Sequence, residues 1–169
     1  GADDVFALSV ETGEILWSSF ANLTSEISTV CCGWTSRGVA IGEDKVFVGQ
    51  LDGVLKAIDK ESGNTVWSIQ AENWQDGYTI TSAPLYFEGL VITGFAGAEF
   101  AARGRVKAFD ASNGSLVWTF YTVPGPGEFG HDSWPSDSTA WQTGGGTVWH
   151  TPAVDPFLGL IYFSTGNPG

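Results

Sequence analysis

Three segments of this chain align without gaps: ALSVETGEILW at 7–17, AIDKESGNTVW at 57–67 and AFDASNGSLVW at 108–118. Their alanines stand 50 and 51 residues apart, and each copy places a glycine six and a tryptophan ten residues after its alanine. A period of this length marks an array of small units, none of which can bury its apolar face alone. Each copy reads as a short apolar strand, a turn whose glycine can take positive φ, and a second strand closing on tryptophan. Further short strands precede the copies, KVFVGQ at 45–50 and LVITGF at 90–95, while LIYFSTG at 160–166 opens a fourth unit.

Four short strands per unit with almost no helical periodicity predict an all-β chain, part of a β-propeller with about three blades and the start of a fourth. An open β-solenoid or a pair of β-sandwiches are the competing architectures. Two or three blades cannot close a ring and would leave unpaired edges, so 1–169 reads as one partial propeller domain of a larger ring. The chain enters strand, turn, strand at once, which predicts a missing N-terminal portion. Residues 121–146, rich in Gly, Pro and Ser, read as a long loop between blades.

The chain has 169 residues, 43% of them apolar, with 8 Trp and 11 Phe, enough material for one substantial core. Nineteen acidic against 7 basic side chains give a net charge of −12. That balance argues against nucleic acid or an anionic membrane and allows a cationic protein partner. No apolar run reaches membrane-spanning length, and the first residues carry no basic-then-apolar leader.

The only two cysteines are adjacent, Cys31 and Cys32. A disulfide between neighbours closes almost no loop and would be strained, because α-carbons across a trans peptide lie about 3.8 Å apart. Two reduced, buried cysteines acting as small hydrophobes are the alternative.

The repeat, in outline A-x-D-x-x-T/S-G-x-x-x-W, resembles the tryptophan-docking motif of the pyrroloquinoline quinone (PQQ) dependent alcohol dehydrogenases, a family that includes methanol dehydrogenase and whose propeller has eight blades. The resemblance covers essentially the whole chain. It implies that Cys31 and Cys32 form a strained disulfide ring packed on one face of the quinone. Arg37, in CCGWTSRG, matches the arginine that pairs with a quinone carboxylate, a task suited to a guanidinium fork; Ser36 stands where the family often has Asn. The segment TSAPLYFEGLVITGFAGAEF implies Thr81 as a hydrogen-bond partner of the cofactor, Gly97 and Ala98 as backbone lying close to it, and Glu99 as a metal ligand. Trp149, in GGGTVWHTPAVDP, falls outside the docking repeat and matches the tryptophan that stacks on the quinone face opposite the disulfide. His150 is assigned no role. Asn167, in STGNPG, matches the asparagine that gives its amide oxygen to the metal.

One carboxylate and one amide oxygen suit a hard cation, Ca2+ or a lanthanide, with cofactor oxygens completing the shell; zinc ligand spacing is absent. The implied reaction is oxidation of a small alcohol to an aldehyde, with hydride passing to the metal-polarised quinone. The family's catalytic base lies well downstream of the T-G-N asparagine, so no residue of this chain is assigned as catalytic, and Asp132, Asp137 and Asp155 read as loop or turn carboxylates. The resemblance further implies a periplasmic location and a cytochrome c as electron acceptor. The competing function is a non-enzymatic propeller of the same repeats acting as a binding or assembly scaffold. A third possibility is an enzyme that binds quinone but lacks the base.

Overall fold

A computed structural model describes residues 3–31 and 33–168. The chain forms twelve short antiparallel strands among the described residues. Strands β3 (Ala40–Gly42), β4 (Lys45–Gly49), β5 (Val54–Asp59) and β6 (Thr65–Gln70) make one four-stranded sheet in sequence order. Strands β7 (Leu85–Phe87), β8 (Leu90–Gly94), β9 (Arg105–Asp110) and β10 (Leu116–Tyr121) make a second of the same order. A hairpin of β1 (Val5–Leu8) and β2 (Ile15–Ser19) precedes them, and one of β11 (Ala153–Asp155) and β12 (Leu160–Tyr162) follows. These are four-stranded blades in succession. The docking repeat is the last hairpin of each blade, so three repeats correspond to two complete sheets and one half, with a further half opening at β11.

The repeat becomes a recurring register. Ala7 pairs with Trp17, Ala57 with Trp67 and Ala108 with Trp118, each beside a bulge. The turn is also the same in all three: Gly13, Gly63 and Gly114 sit at φ of 75°, 75° and 77° and donate their amides to the carbonyls of Ser9, Asp59 and Asp110. Asp59 and Asp110 each accept the amide of the residue two or three positions on, at 2.7 Å. The hydroxyls of Ser62 and Ser112, followed by those amides, hold the two carboxyls below the usual range. Ser9 replaces the aspartate in the first copy and accepts from Thr12 through its hydroxyl.

The first two tryptophans then lock onto the next blade. Trp17 Nε1 donates to the Lys60 carbonyl and Trp67 Nε1 to that of Ala111, both at 3.0 Å. The rings lie flat against the turn glycines of the following copy: a Cβ at Gly63 would come 2.8 Å from the Trp17 ring, and one at Gly114 2.9 Å from Trp67. Any larger residue there would both strain the backbone and push the tryptophan out. The main core fills the space between the two complete sheets, built from Phe47, Leu55, Ile80, Val91, Phe95 and Phe109. Phe47 is wholly buried and stacks on Tyr86 at 5.8 Å and 4°. Glu72 accepts from Arg105 at 2.7 Å and Lys107 at 2.6 Å, pinning the second sheet to the end of the first. No helix among the described residues is long and apolar enough to cross a membrane.

Residues 122–146 carry no strand, only short 3-10 turns at His131–Ser133 and Ala140–Gln142. Arg103 organises this stretch. Its Nε donates to the Val123 carbonyl at 2.8 Å and its Nη2 to Glu128 at 2.5 Å. Its guanidinium carbon lies 3.8 Å from the Tyr121 ring centroid and 5.0 Å from that of Trp141. One side chain thus holds the long inter-blade loop at three points, Val123, Glu128 and Trp141.

Candidate functional site

Loops at one end of the sheets enclose a cavity of about 260 Å3. Five separate segments line it: Thr29 to Arg37, Thr79 and Thr81, Ala96 to Glu99, Thr147 and Trp149, and Asn167. The first brings Thr29, Val30, Cys31, Gly33, Thr35 and Arg37 to the wall, with Gly33 at a φ of 84°. A spacing of two brings in the pairs Thr79/Thr81 and Thr147/Trp149.

Seven of the nine residues expected at a cofactor and metal site line this space: Cys31, Arg37, Thr81, Gly97, Glu99, Trp149 and Asn167. Ala98 does not. It is 3% exposed and packs inward at the start of the 3-10 turn Ala98–Phe100. Cys32, and with it the expected bridge to Cys31, lies outside the described residues. Asp132, Asp137 and Asp155 are absent from the lining, and Asp155 accepts the amides of Phe157 and Leu158 as an ordinary turn carboxylate.

Glu99 is placed by backbone chemistry. Gly97 takes a φ of 123°, and a Cβ there would fall 1.8 Å from the Gly77 carbonyl oxygen, so the chain can turn only with glycine. Phe100 and Ala102 both donate to the Gly97 carbonyl, closing a tight loop that carries Glu99 at its exposed crest. A second close approach brings in the other wall: a Cβ at Gly94 would meet the Val148 carbonyl oxygen at 2.2 Å. Val148 is wholly buried, and its neighbours Thr147 and Trp149 face the cavity.

Arg37, Thr81 and Trp149 form one knot. The Thr81 hydroxyl donates to the Trp149 carbonyl at 3.1 Å, and Arg37 Nη1 donates to the carbonyls of Thr81 at 3.1 Å and Trp149 at 3.5 Å. The Arg37 guanidinium carbon also lies 5.1 Å from the centroid of the Trp149 ring. These bonds occupy one terminal nitrogen of the guanidinium, whose other donors have no protein partner among the described residues. Trp149 is 41% exposed, so its ring is a wall of the cavity and not part of the blade core. Asn167 Nδ2 donates to the Pro168 carbonyl at 3.2 Å, which leaves Oδ1 as its acceptor toward the cavity.

The donor set fits a hard cation with an anionic, planar organic ligand. Glu99 and Asn167 offer one carboxylate and one amide oxygen at the cavity wall, and no described group of three His, Cys, Asp or Glu side chains forms a metal cluster. Thr79 is 1% exposed and its hydroxyl has no partner, although it borders the cavity. A buried orphan hydroxyl costs about 1–3 kcal/mol unless something in the cavity bonds it. Thr29, Thr35, Thr79, Ala96 and Thr147 also line the cavity; Thr29, Thr35, Thr79 and Thr147 stand two residues from Cys31, Arg37, Thr81 and Trp149 respectively, and Ala96 precedes Gly97.

A sequence profile of the family described as PQQ, glucose/ethanol/alcohol dehydrogenase, beta-propeller domain, matches residues 1–169. Quinohemoprotein alcohol dehydrogenase ADH IIB of Pseudomonas putida is 41% identical over 96% of this chain and 25% of its own length. The lanthanide-dependent methanol dehydrogenase of Methylacidiphilum fumariolicum (strain SolV) is 35% identical over 85% of this chain and 26% of its own. Among solved structures, a europium-containing methanol dehydrogenase superposes with a TM-score of 0.89 at 34% identity, covering 98% of this chain and 32% of that one. BamB from Moraxella catarrhalis matches at a TM-score of 0.64 and 22% identity, a likeness of fold alone. The chain thus spans about a quarter of the length of the curated relatives it matches. With a matching profile along its whole length and blades that dock through repeated tryptophans, the chain belongs to the β-propeller family of PQQ-dependent glucose, ethanol and alcohol dehydrogenases.

Proposed function

We propose that this chain supplies part of the quinone and metal site of a dehydrogenase that oxidises small alcohols to aldehydes, acting in the periplasm and passing electrons to a cytochrome c. The observation that carries this reading is the convergence of Cys31, Arg37, Thr81, Gly97, Glu99, Trp149 and Asn167 on one cavity from five segments of the chain. A scaffold propeller needs only the docking repeats; it has no use for this set.

Bound PQQ would supply the hydride-accepting carbonyl, with Ca2+ or a lanthanide as the Lewis acid beside it. The chain's own residues bind and orient. Glu99 and Asn167 present hard oxygen donors. Arg37, held by two carbonyls, directs its remaining N–H donors at a carboxylate. Trp149 offers a planar face, and an oxidised Cys31-Cys32 pair would offer a flat one opposite; no described cysteine is a free thiol, which supports that reading. The Thr79 hydroxyl adds a donor at depth, and the Thr81 hydroxyl, whose hydrogen is committed to the Trp149 carbonyl, can only accept. Among the lining residues no carboxylate other than Glu99 is present, so proton abstraction from the alcohol is assigned to none of them.

The test is reconstitution of the full-length apoprotein with PQQ and either Ca2+ or a lanthanide, followed by alcohol-dependent dye reduction. Glu99→Ala is expected to abolish metal-dependent activity while leaving the fold intact. Full activity in that variant would remove Glu99 from the site, and no quinone uptake by the parent would leave the scaffold reading in its place.

A further inference from the structure

His150 does not line the cavity, yet it touches two of the segments that do. Its ring meets that of Trp149 at 86° with centroids 5.4 Å apart. On the other side, Nε2 lies 3.0 Å from the Ser164 carbonyl oxygen and 2.7 Å from its hydroxyl. A carbonyl can only accept, so that geometry puts the imidazole hydrogen on Nε2. Nδ1 faces the Thr151 carbonyl at the longer distance of 3.4 Å. Ser164 stands three residues before Asn167. Between them Gly166 passes so close to the indole that a Cβ there would lie 2.8 Å from Trp149 Nε1, and its amide donates to the Thr147 carbonyl at 2.7 Å.

The indole of Trp149 is too exposed for burial alone to fix its plane. Thr81 and Arg37 grip its backbone carbonyl, which leaves the ring free to turn about its side-chain torsions. On the ring itself act the Arg37 guanidinium, the Gly166 backbone and His150. Only His150 both contacts that ring and bonds with its side chain to the segment leading to Asn167.

We propose that His150 is a positioning residue, a strut that fixes the Trp149 indole plane against the Asn167 segment and so sets the spacing between the stacking wall and the amide donor. Its consequence for quinone binding rests on the function proposed above; its structural content does not. Removing the ring leaves the indole with more than one orientation and loosens the slot that a planar ligand must enter.

The test uses the full-length protein labelled with 5-fluorotryptophan, with Trp149→Phe to assign the fluorine resonance of Trp149. In the parent apoprotein that resonance is expected as a single narrow line. In His150→Ala it is expected to move and broaden or split. His150→Gln, whose amide can still reach the Ser164 oxygens, is expected to restore a single line and to serve if the alanine variant folds poorly. Equilibrium dialysis should show PQQ binding weakened about 10-fold in His150→Ala and recovered in His150→Gln. An unchanged fluorine line in His150→Ala overturns the strut. A changed line with unchanged quinone affinity overturns its service to the cavity. A parent that takes up no quinone overturns the proposed function instead, while the fluorine line still decides whether His150 holds Trp149.

Discussion

Trp67 and Trp149 are held by opposite means. Trp67 sits in β6 opposite Ala57, tilts against Phe47 at 5.9 Å, lies on Gly114 and hydrogen-bonds Ala111. Every one of those contacts recurs with the blade period or follows from strand register. Trp149 ends a long stretch without strands that is rooted through Arg103, and its contacts come from Arg37, Thr81, His150 and Gly166. The docking region is redundant and apolar. The cavity region depends on single, distant polar residues. Damage to the first should therefore appear as lost stability of the whole, and damage to the second as lost geometry in a fold that survives.

Phe47→Ala should have the largest effect, about 3–5 kcal/mol by denaturant unfolding of the full-length protein, because Phe47 is wholly buried and packs on both Trp67 and Tyr86. A loss below about 1 kcal/mol would mean that the sheets do not share one core.

Gly114→Ala should cost about 1–2 kcal/mol, since the residue has a φ of 77° and its Cβ would strike the Trp67 ring. Gly127→Ala in the long loop has a φ of 83° but nothing within 4 Å, so it should cost only the left-handed backbone strain, about 1 kcal/mol and less than Gly114→Ala. Equal costs would erase the distinction between the two regions.

Arg103→Met removes the Glu128 ion pair and the guanidinium stacking while keeping an apolar stem. The expected loss of global stability is about 1 kcal/mol, but limited proteolysis between 124 and 142 should quicken about 10-fold, because the loop's opening free energy is local. Unchanged cleavage would show that the loop holds itself.

The last effect is one of pH. Asp3 is buried and accepts the Leu51 amide at 2.7 Å, and burial, outweighing that bond, pushes its carboxyl up to about 6. The folded state thus prefers the protonated form. Its contribution is fully present below the unfolded value near 3.8 and is lost as pH rises through about 6, a decline of at most about 3 kcal/mol. Asp3→Asn should flatten that slope in thermal melts at pH 4 to 7; an unaltered slope would assign it to another group.

The blade frame was legible because its information is local. Alanine, glycine and tryptophan at fixed offsets specify a strand, a positive-φ turn and a return strand, and a second copy one blade later supplies the docking partner. The residues of the cavity were legible singly, through their resemblance to a family's motifs, and the spacing of two in 79–81 and 147–149 stood in the sequence as well. What the motifs could not give was orientation. Ala98, in the middle of the Gly97 to Glu99 motif, turns into the core because the Gly97 loop closes as a 3-10 turn. No motif points to His150, because its contact is with Ser164, fourteen residues away and beyond the end of β12.

By itself, then, the sequence determined an all-β repeat chain with docking tryptophans, since neighbouring residues encode period and turn. Only the tertiary structure decided that segments as far apart as Thr29 and Asn167 face one cavity. That convergence depends on how closely blades approach, and the approach is set where Gly94 admits the Val148 carbonyl and Gly97 that of Gly77, contacts that no local pattern announces.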